Sequence, residues 1–227
     1  LISILANLPG LTDLSMTTNG ILLNQYAPEL AAAGLKRLNV SLDSLDPGRF
    51  ETITRGGKLK DVLAGIDRAI ESGLSPVKLN MVVMRGRNDD ELLEFVKLAC
   101  SRGMVIRFIE CMPMADVGLW NRDHFISTND IKKIIESVYS LEPDSVSGSG
   151  PAVYFRVRGT NAVLGFISPL TPKFCEVCNR VRLTALGKLR LCLDHEDHLD
   201  LKALLRAGTT DDELETQIVS AVLRKPE

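Results

Sequence analysis

Four short, nearly continuous apolar runs, at 14–18, 37–42, 77–84 and 104–111, are separated by amphipathic stretches that end in glycine. Strands that are apolar along their whole length are buried on both faces, which parallel pairing with helical crossovers provides. The spacing predicts helices over 24–34, 47–54, 58–73 and 89–102, with Gly34, Gly73 and Gly103 as left-handed C-terminal caps. Pro47 behind Asp46 marks one helix start, and Asn88, three residues before Glu91, marks another. Four such units make an open doubly wound α/β sheet or part of a (β/α) barrel. With 45% apolar and 25% charged residues, the chain can bury a sizeable core, which excludes a disordered or collagen-like chain.

Three polar clusters fall at the C-terminal ends of these strands: Thr17-Thr18-Asn19-Gly20, Ser41-Leu42-Asp43-Ser44 and Glu110-Cys111-Met112. That edge is where parallel sheets and barrels bind ligands, although Asn-Gly and Ser/Asp also favour plain turns. Lys78 and Arg107 are sharper signals, because each sits inside an apolar strand. An uncompensated buried charge costs several kcal/mol, so either an anion in a wet cavity or an internal acid must answer it.

From His124 the pattern changes. A helix over 127–138 and a flexible Ser147-Gly148-Ser149-Gly150-Pro151 turn lead to a hairpin of 152–158 and 162–168 around Gly159-Thr160-Asn161. Helices follow over 201–207 and 210–223, the second opened by a Thr210-x-x-Glu213 capping box. The expected division is a βα unit of 1–123 and a smaller α+β unit of 124–227.

Five cysteines, an odd number with three clustered, point to a reducing compartment and a metal rather than a disulfide framework. Cys175, Cys178 and Cys192 have the spacing C-x2-C-x13-C, which lets two thiolates converge on one ion while a hairpin returns the third. On spacing alone, His195 completes a Cys3His zinc site. Against zinc, residues 172–192 carry five cations and one acid in a chain of net charge −2. Arg180 and Arg182, two apart, share one side of an extended segment and could grip an anion beside the metal.

The run Cys175-x2-Cys178-Asn179-Arg180-Val181-Arg182-Leu183-Thr184, followed by Gly187 and Cys192, resembles the C-terminal iron–sulfur signature of the GTP 3′,8-cyclase (MoaA) family of molybdenum cofactor biosynthesis. Met16-Thr17-Thr18-Asn19-Gly20, Asn39-Val40-Ser41-Leu42-Asp43-Ser44, Val77-Lys78-Leu79-Asn80 and Arg107-Phe108-Ile109-Glu110-Cys111-Met112-Pro113 resemble its barrel strands in the same order. The resemblance implies a partial radical SAM (β/α) barrel followed by a small α+β region with an auxiliary cluster. It implies that Cys175, Cys178 and Cys192 hold a [4Fe–4S] cluster with one iron open to guanine, and that His195 is no ligand. Thr17, Lys78, Arg107, Arg180 and Arg182 match GTP-contacting positions, and Ser41 and Met112 match positions that contact S-adenosylmethionine (SAM). The implied reaction is radical SAM conversion of GTP to (8S)-3′,8-cyclo-7,8-dihydroguanosine 5′-triphosphate, upstream of cyclic pyranopterin monophosphate synthase.

The family's radical-generating cluster uses C-x3-C-x2-C near the N-terminus, and this sequence contains no such triplet. Cys100 and Cys111 read as core or cavity-lining residues. The chain begins at Leu1, inside what reads as a helix, and stops before the family's Gly-Gly tail, so a fragment unable to cleave SAM alone is expected. No signal peptide is readable, and no apolar run approaches the ~18 residues of a membrane span. A cytoplasmic enzyme (mitochondrial matrix in a eukaryote) without membrane or nucleic-acid partners is expected, and a homodimer is compatible with the sequence. The rival readings are a zinc- or Fe–S-containing nucleotide-binding module without catalysis and a radical SAM enzyme acting on a peptide; Arg180-Val181-Arg182 favours a phosphorylated substrate.

Overall fold

The computed structural model describes residues 1–113, 122–146, 150–171, 178–193 and 195–225. It divides into two compact units, Leu1–Pro172 and Lys173–Glu227.

In the first unit, a short helix α1 (Ile2–Ala6) precedes β1 (Ser15–Thr18), α2 (Leu23–Ala32), β2 (Arg37–Ser41), α3 (Pro47–Thr54) and α4 (Leu59–Glu71). Then come β3 (Val77–Val83), α5 (Leu92–Arg102), β4 (Val105–Glu110), α6 (Thr128–Glu136), β5 (Leu141–Asp144), β6 (Val153–Val157) and β7 (Val163–Ile167). The seven strands form one sheet in the order β1-β2-β3-β4-β7-β6-β5. β1 to β4 pair in parallel with their neighbours, as the crossover helices require, and β7 is also parallel to β4. The hairpin that the sequence sets apart as a smaller layer is therefore the continuation of the same sheet. Its other two pairings, β6 with β7 and β5 with β6, are antiparallel.

Local chemistry accounts for the helix limits. Asp46 caps α3 by accepting the Arg49 N–H at 2.7 Å, with Pro47 in the first turn. Gly34, Gly73 and Gly103 all take positive φ after their helices, as expected of C-terminal caps. Asn88 immediately precedes the helical segment that starts at Asp89 and runs into α5, as expected, but not through a side-chain cap. Its carboxamide caps no helix; it turns inward, accepting the Met84 N–H at 2.7 Å and donating to the carbonyls of Asp43 and Val82. A fully buried amide satisfies more backbone there than it could at an exposed helix start.

Alternate strand residues make the core. Leu38, Val40, Leu79, Met81, Ile106, Phe108, Leu164 and Phe166 pack against Leu23 and Ala27 of α2, Val62 and Ile66 of α4, Phe95 of α5 and Ile131 of α6. Residues one position away along each strand therefore face the other side of the sheet.

The second unit contains β8 (Arg182–Leu183), β9 (Lys188–Arg190) and β10 (His198–Asp200) in an antiparallel sheet of order β10-β9-β8. Two helices follow, α7 (Leu201–Arg206) and α8 (Asp211–Leu223), and Thr210 and Glu213 form the expected capping box on α8. Cys175 and the Ser147–Ser149 part of the expected turn lie outside the described residues. No helix among the described residues is long and apolar enough to cross a membrane.

Candidate functional site

The sheet face opposite the helices is polar, and register decides which residues meet there. Thr17 lies beside Asn39, and Asn39 beside Lys78. Two residues further along, Ser41, Asn80, Arg107, Gly165 and Tyr154 form a second row across five strands. The expected GTP-contacting residues Thr17, Lys78 and Arg107 thus share one face.

Arg107, 9% exposed, donates from Nε to Asn80 Oδ1 at 2.7 Å and from Nη2 to Asn39 Oδ1 at 2.6 Å. Asn39 in turn donates to Thr17 Oγ1 at 3.4 Å. Carboxamides orient a guanidinium without cancelling its charge. Lys78 is 2% exposed, with Nζ 5.6 Å from the centroid of the Tyr154 ring. Burial first, then the Arg37 and Arg107 guanidiniums, pull the Lys78 ammonium down from its ordinary 10.5 to about 8, with Asp13 acting the other way. Burial also lowers Arg107, opposed by Tyr154. Arg37 itself is paired with Asp13 and donates from Nε to Oδ1 at 2.8 Å. Gly165 makes room for the row: a Cβ there would lie 2.8 Å from Tyr154 Cε1 and 2.9 Å from Arg107 Cγ.

Beyond the strand ends, two buried carboxylates organise the loops. Glu91 accepts from Ser44 Oγ (2.7 Å), the backbone of Leu45 and Asp46, and Arg49 Nη1 (2.5 Å), which fixes the turn after β2. Glu110, 1% exposed at the end of β4, accepts from the N–H and Oγ1 of Thr128, the N–H of Leu170, and the N–H and Oγ1 of Thr171. Half-buried Ser41 ends β2, and half-buried Met112 follows β4. Between these ends Asp43 accepts the Val82 N–H at 2.8 Å. Burial raises the Asp43 carboxyl, and burial followed by the nearby Asp43 charge raises the Cys111 thiol. Cys111 is buried and Cys100 packs against the core, as the sequence suggests.

In the second unit, Cys178 and Cys192 are half-buried and His195 is exposed. Burial pushes the Cys178 thiol up, but the Arg180 N–H and guanidinium and the Lys225 ammonium outweigh it and bring it to about 7. Arg182 stands opposite Arg190 across β8 and β9, and Arg190 donates to the carbonyls of Leu193 (3.4 Å) and His195 (2.8 Å). No metal-holding group of three His, Cys, Asp or Glu occurs among the described residues, which exclude Cys175.

Sequence reasoning missed Asn39, Asn80, Tyr154 and Gly165 as parts of this arrangement, and found Glu110 only as a member of the polar cluster at the end of its strand. A period-two reading of Arg37-x-Asn39-x-Ser41 and Lys78-x-Asn80 could have found the first two; Tyr154 carries no comparable local signal.

Residues 1–99 match the Radical SAM superfamily, and residues 104–227 match Molybdenum Cofactor Synthesis C. The parallel sheet with crossover helices is thus a partial radical SAM (β/α) barrel followed by a C-terminal α+β region. Among curated proteins, the GTP 3′,8-cyclase of Thermodesulfovibrio yellowstonii is 47% identical over 224 residues, 98% of this chain and 69% of that protein. That of Syntrophomonas wolfei is 46% identical over 227 residues, 100% of this chain and 70% of the relative. GTP 3′,8-cyclase 1 of Pseudomonas aeruginosa is 49% identical over 224 residues, 98% and 68% of the two chains. The chain belongs to the GTP 3′,8-cyclase family of radical SAM proteins of molybdenum cofactor biosynthesis.

Proposed function

We propose that this chain binds GTP and SAM and supplies the substrate-holding part of the conversion of GTP to (8S)-3′,8-cyclo-7,8-dihydroguanosine 5′-triphosphate. The observation that carries the reading is the pair of buried cations, Lys78 and Arg107, on one sheet face with neutral amides tethering the guanidinium. Such a face offers charge-assisted hydrogen bonds to phosphate oxygens without reorganisation of the protein. Thr17, in the row of Asn39 and Lys78 on the same face, contributes a hydroxyl. Arg180 and Arg182 are assigned to GTP by resemblance. Ser41 and Met112 are assigned to SAM in the same way, and their places at the ends of β2 and beyond β4 suit a ligand at the C-terminal edge of a barrel.

Cys175, Cys178 and Cys192 are the ligands we assign to an auxiliary three-cysteine [4Fe–4S] cluster. Cys178 fits that role: the Arg180 N–H and guanidinium are both aimed at its sulfur, and hydrogen bonds to thiolate sulfur are a standard means of tuning such clusters. SAM and the family's clusters, when bound, supply the radical chemistry at the GTP ribose. This chain's own residues bind the phosphates, orient the nucleotide and keep the cations desolvated so that each interaction is strengthened. We retain 1–123 and 124–227 as the functional division, and a cytoplasmic enzyme with a downstream cyclic pyranopterin monophosphate synthase as the setting.

Anaerobic reconstitution followed by metal analysis and calorimetry with GTP tests the reading. About four irons per chain and GTP binding that weakens in Arg107→Ala are expected. One zinc per chain, or GTP binding indifferent to Arg107, sinks it in favour of a zinc-containing module.

A further inference from the structure

Tyr154 is assigned no role by the sequence motifs, yet it meets both buried cations. It is 9% exposed on β6 and lies opposite Gly165. The Lys78 ammonium stands 5.6 Å from its ring centroid, and its phenol engages the Arg107 side chain. The residue between Arg107 and Tyr154 in the row is a glycine, and its missing Cβ leaves room for both the Arg107 stem and the tyrosine ring beside it.

Two cations on one low-dielectric face repel each other, and each gains by turning toward water. Arg107 is held by Asn39 and Asn80. For Lys78, an aromatic face supplies an attraction that grows when water is excluded. We propose that Tyr154 is a positioning residue for the nucleotide phosphates, its ring and phenol together keeping Lys78 and Arg107 in the arrangement that receives them. The inference rests on the reading of those two cations as GTP-binding. Tyr154 sets affinity through them, because a preformed cationic pair loses little freedom when the anion arrives.

Its ring also packs with Val105 and Val163, so the test must separate positioning from packing. Full-chain Tyr154→Phe keeps the ring and loses the phenol oxygen, whereas Tyr154→Leu loses the ring. Calorimetry with GTP and with inorganic tripolyphosphate, from pH 7 to 9.5, reads affinity and its pH midpoint. Among the described residues, the charged groups acting on Lys78 are Asp13 ahead of β1, Arg37 on β2 and Arg107 on β4, and all are unchanged in both variants. Tyr154→Leu is expected to bind both probes about tenfold more weakly, with the midpoint moved to lower pH. Tyr154→Phe should bind about threefold more weakly at an unchanged midpoint. Affinities unchanged in both variants, with or without lost thermal stability, overturn the inference while Lys78→Ala still weakens binding. If Lys78→Ala and Arg107→Ala also bind normally, the underlying reading of the cations is what fails. Should Tyr154→Leu not fold, unchanged affinity in Tyr154→Phe overturns the inference by itself.

Discussion

The Arg107 guanidinium on β4 reaches past β3 to the carboxamide of Asn39 on β2, with Nη2 2.6 Å from Oδ1. Its second anchor, Asn80 on the intervening strand, holds Nε at 2.7 Å. One planar group therefore ties together residues 27 and 68 positions apart in the chain. This tether keeps a buried positive charge oriented without neutralising it.

Arg107→Lys keeps the charge but loses the two-point tether, since an ammonium is a compact point charge on a flexible stem. GTP affinity should fall by ~1.5–3 kcal/mol, the worth of a charged hydrogen bond, with the fold intact. Calorimetry alongside circular dichroism checks both halves of that statement.

Lys78, if it receives a GTP phosphate as proposed, is expected to make binding pH-dependent. Its ammonium titrates near pH 8 in the folded chain against 10.5 ordinarily, so a bound phosphate, which favours the charged form, draws a proton. GTP affinity should rise as pH falls from 9.5 toward 7, and Lys78→Met should flatten that part of the profile. The same shift acts on stability with a definite sign. Between about 8 and 10.5 the unfolded chain holds more protons at this residue, so its contribution makes the fold more stable as pH rises through that window. Below about 8, the cost of the buried charge is present in full. Chemical denaturation of Lys78→Met and the parent at pH 7.5 and 10 should show the gap between them narrowing.

Gly165→Ala inserts a methyl group that would lie 2.8 Å from Tyr154 Cε1 and 2.9 Å from Arg107 Cγ. Overpacking of this kind costs ~1–3 kcal/mol, and here the displaced atoms belong to the face proposed to receive the GTP phosphates. Thermal unfolding and GTP affinity should therefore fall together; a loss of stability at constant affinity would show that the row relaxes elsewhere.

Glu110→Gln tests the carboxylate that gathers Thr128, Leu170 and Thr171. An amide nitrogen in place of one oxygen confronts N–H donors with another donor, and a buried network broken in this way costs about 2–3 kcal/mol. Because Thr171 stands only four residues before Cys175, reconstituted iron content should drop as well. Urea denaturation and iron analysis are the two readouts.

Arg182→Ala should weaken GTP binding by ~1.5–3 kcal/mol and leave iron content intact. Loss of iron along with affinity would show that the arginine supports the cysteine segment rather than the ligand.

Helices and parallel strands were legible because apolar periodicity, Asp46 and Thr210 caps and terminal glycines agree with one another. β5 was not. Leu141-Glu142-Pro143-Asp144 has a proline and two acids, and it is a strand only because β6 pairs with it, through Glu142–Arg158 and Asp144–Arg156 ion pairs across the edge. Asn88 marked the helical start at Asp89 correctly, but its side chain was not legible: a residue that favours helix starts also satisfies buried backbone well, and burial decided between the two.

The chain's linear order determined the βα succession, the cysteine spacing and the presence of two charges inside apolar strands, since each depends on residues close together in sequence. Which groups answer those charges was decided by tertiary structure alone. Strand register brings Asn39, Asn80 and Tyr154 to Lys78 and Arg107, and it arises from the pairing of segments far apart in the chain, where no local propensity carries the information.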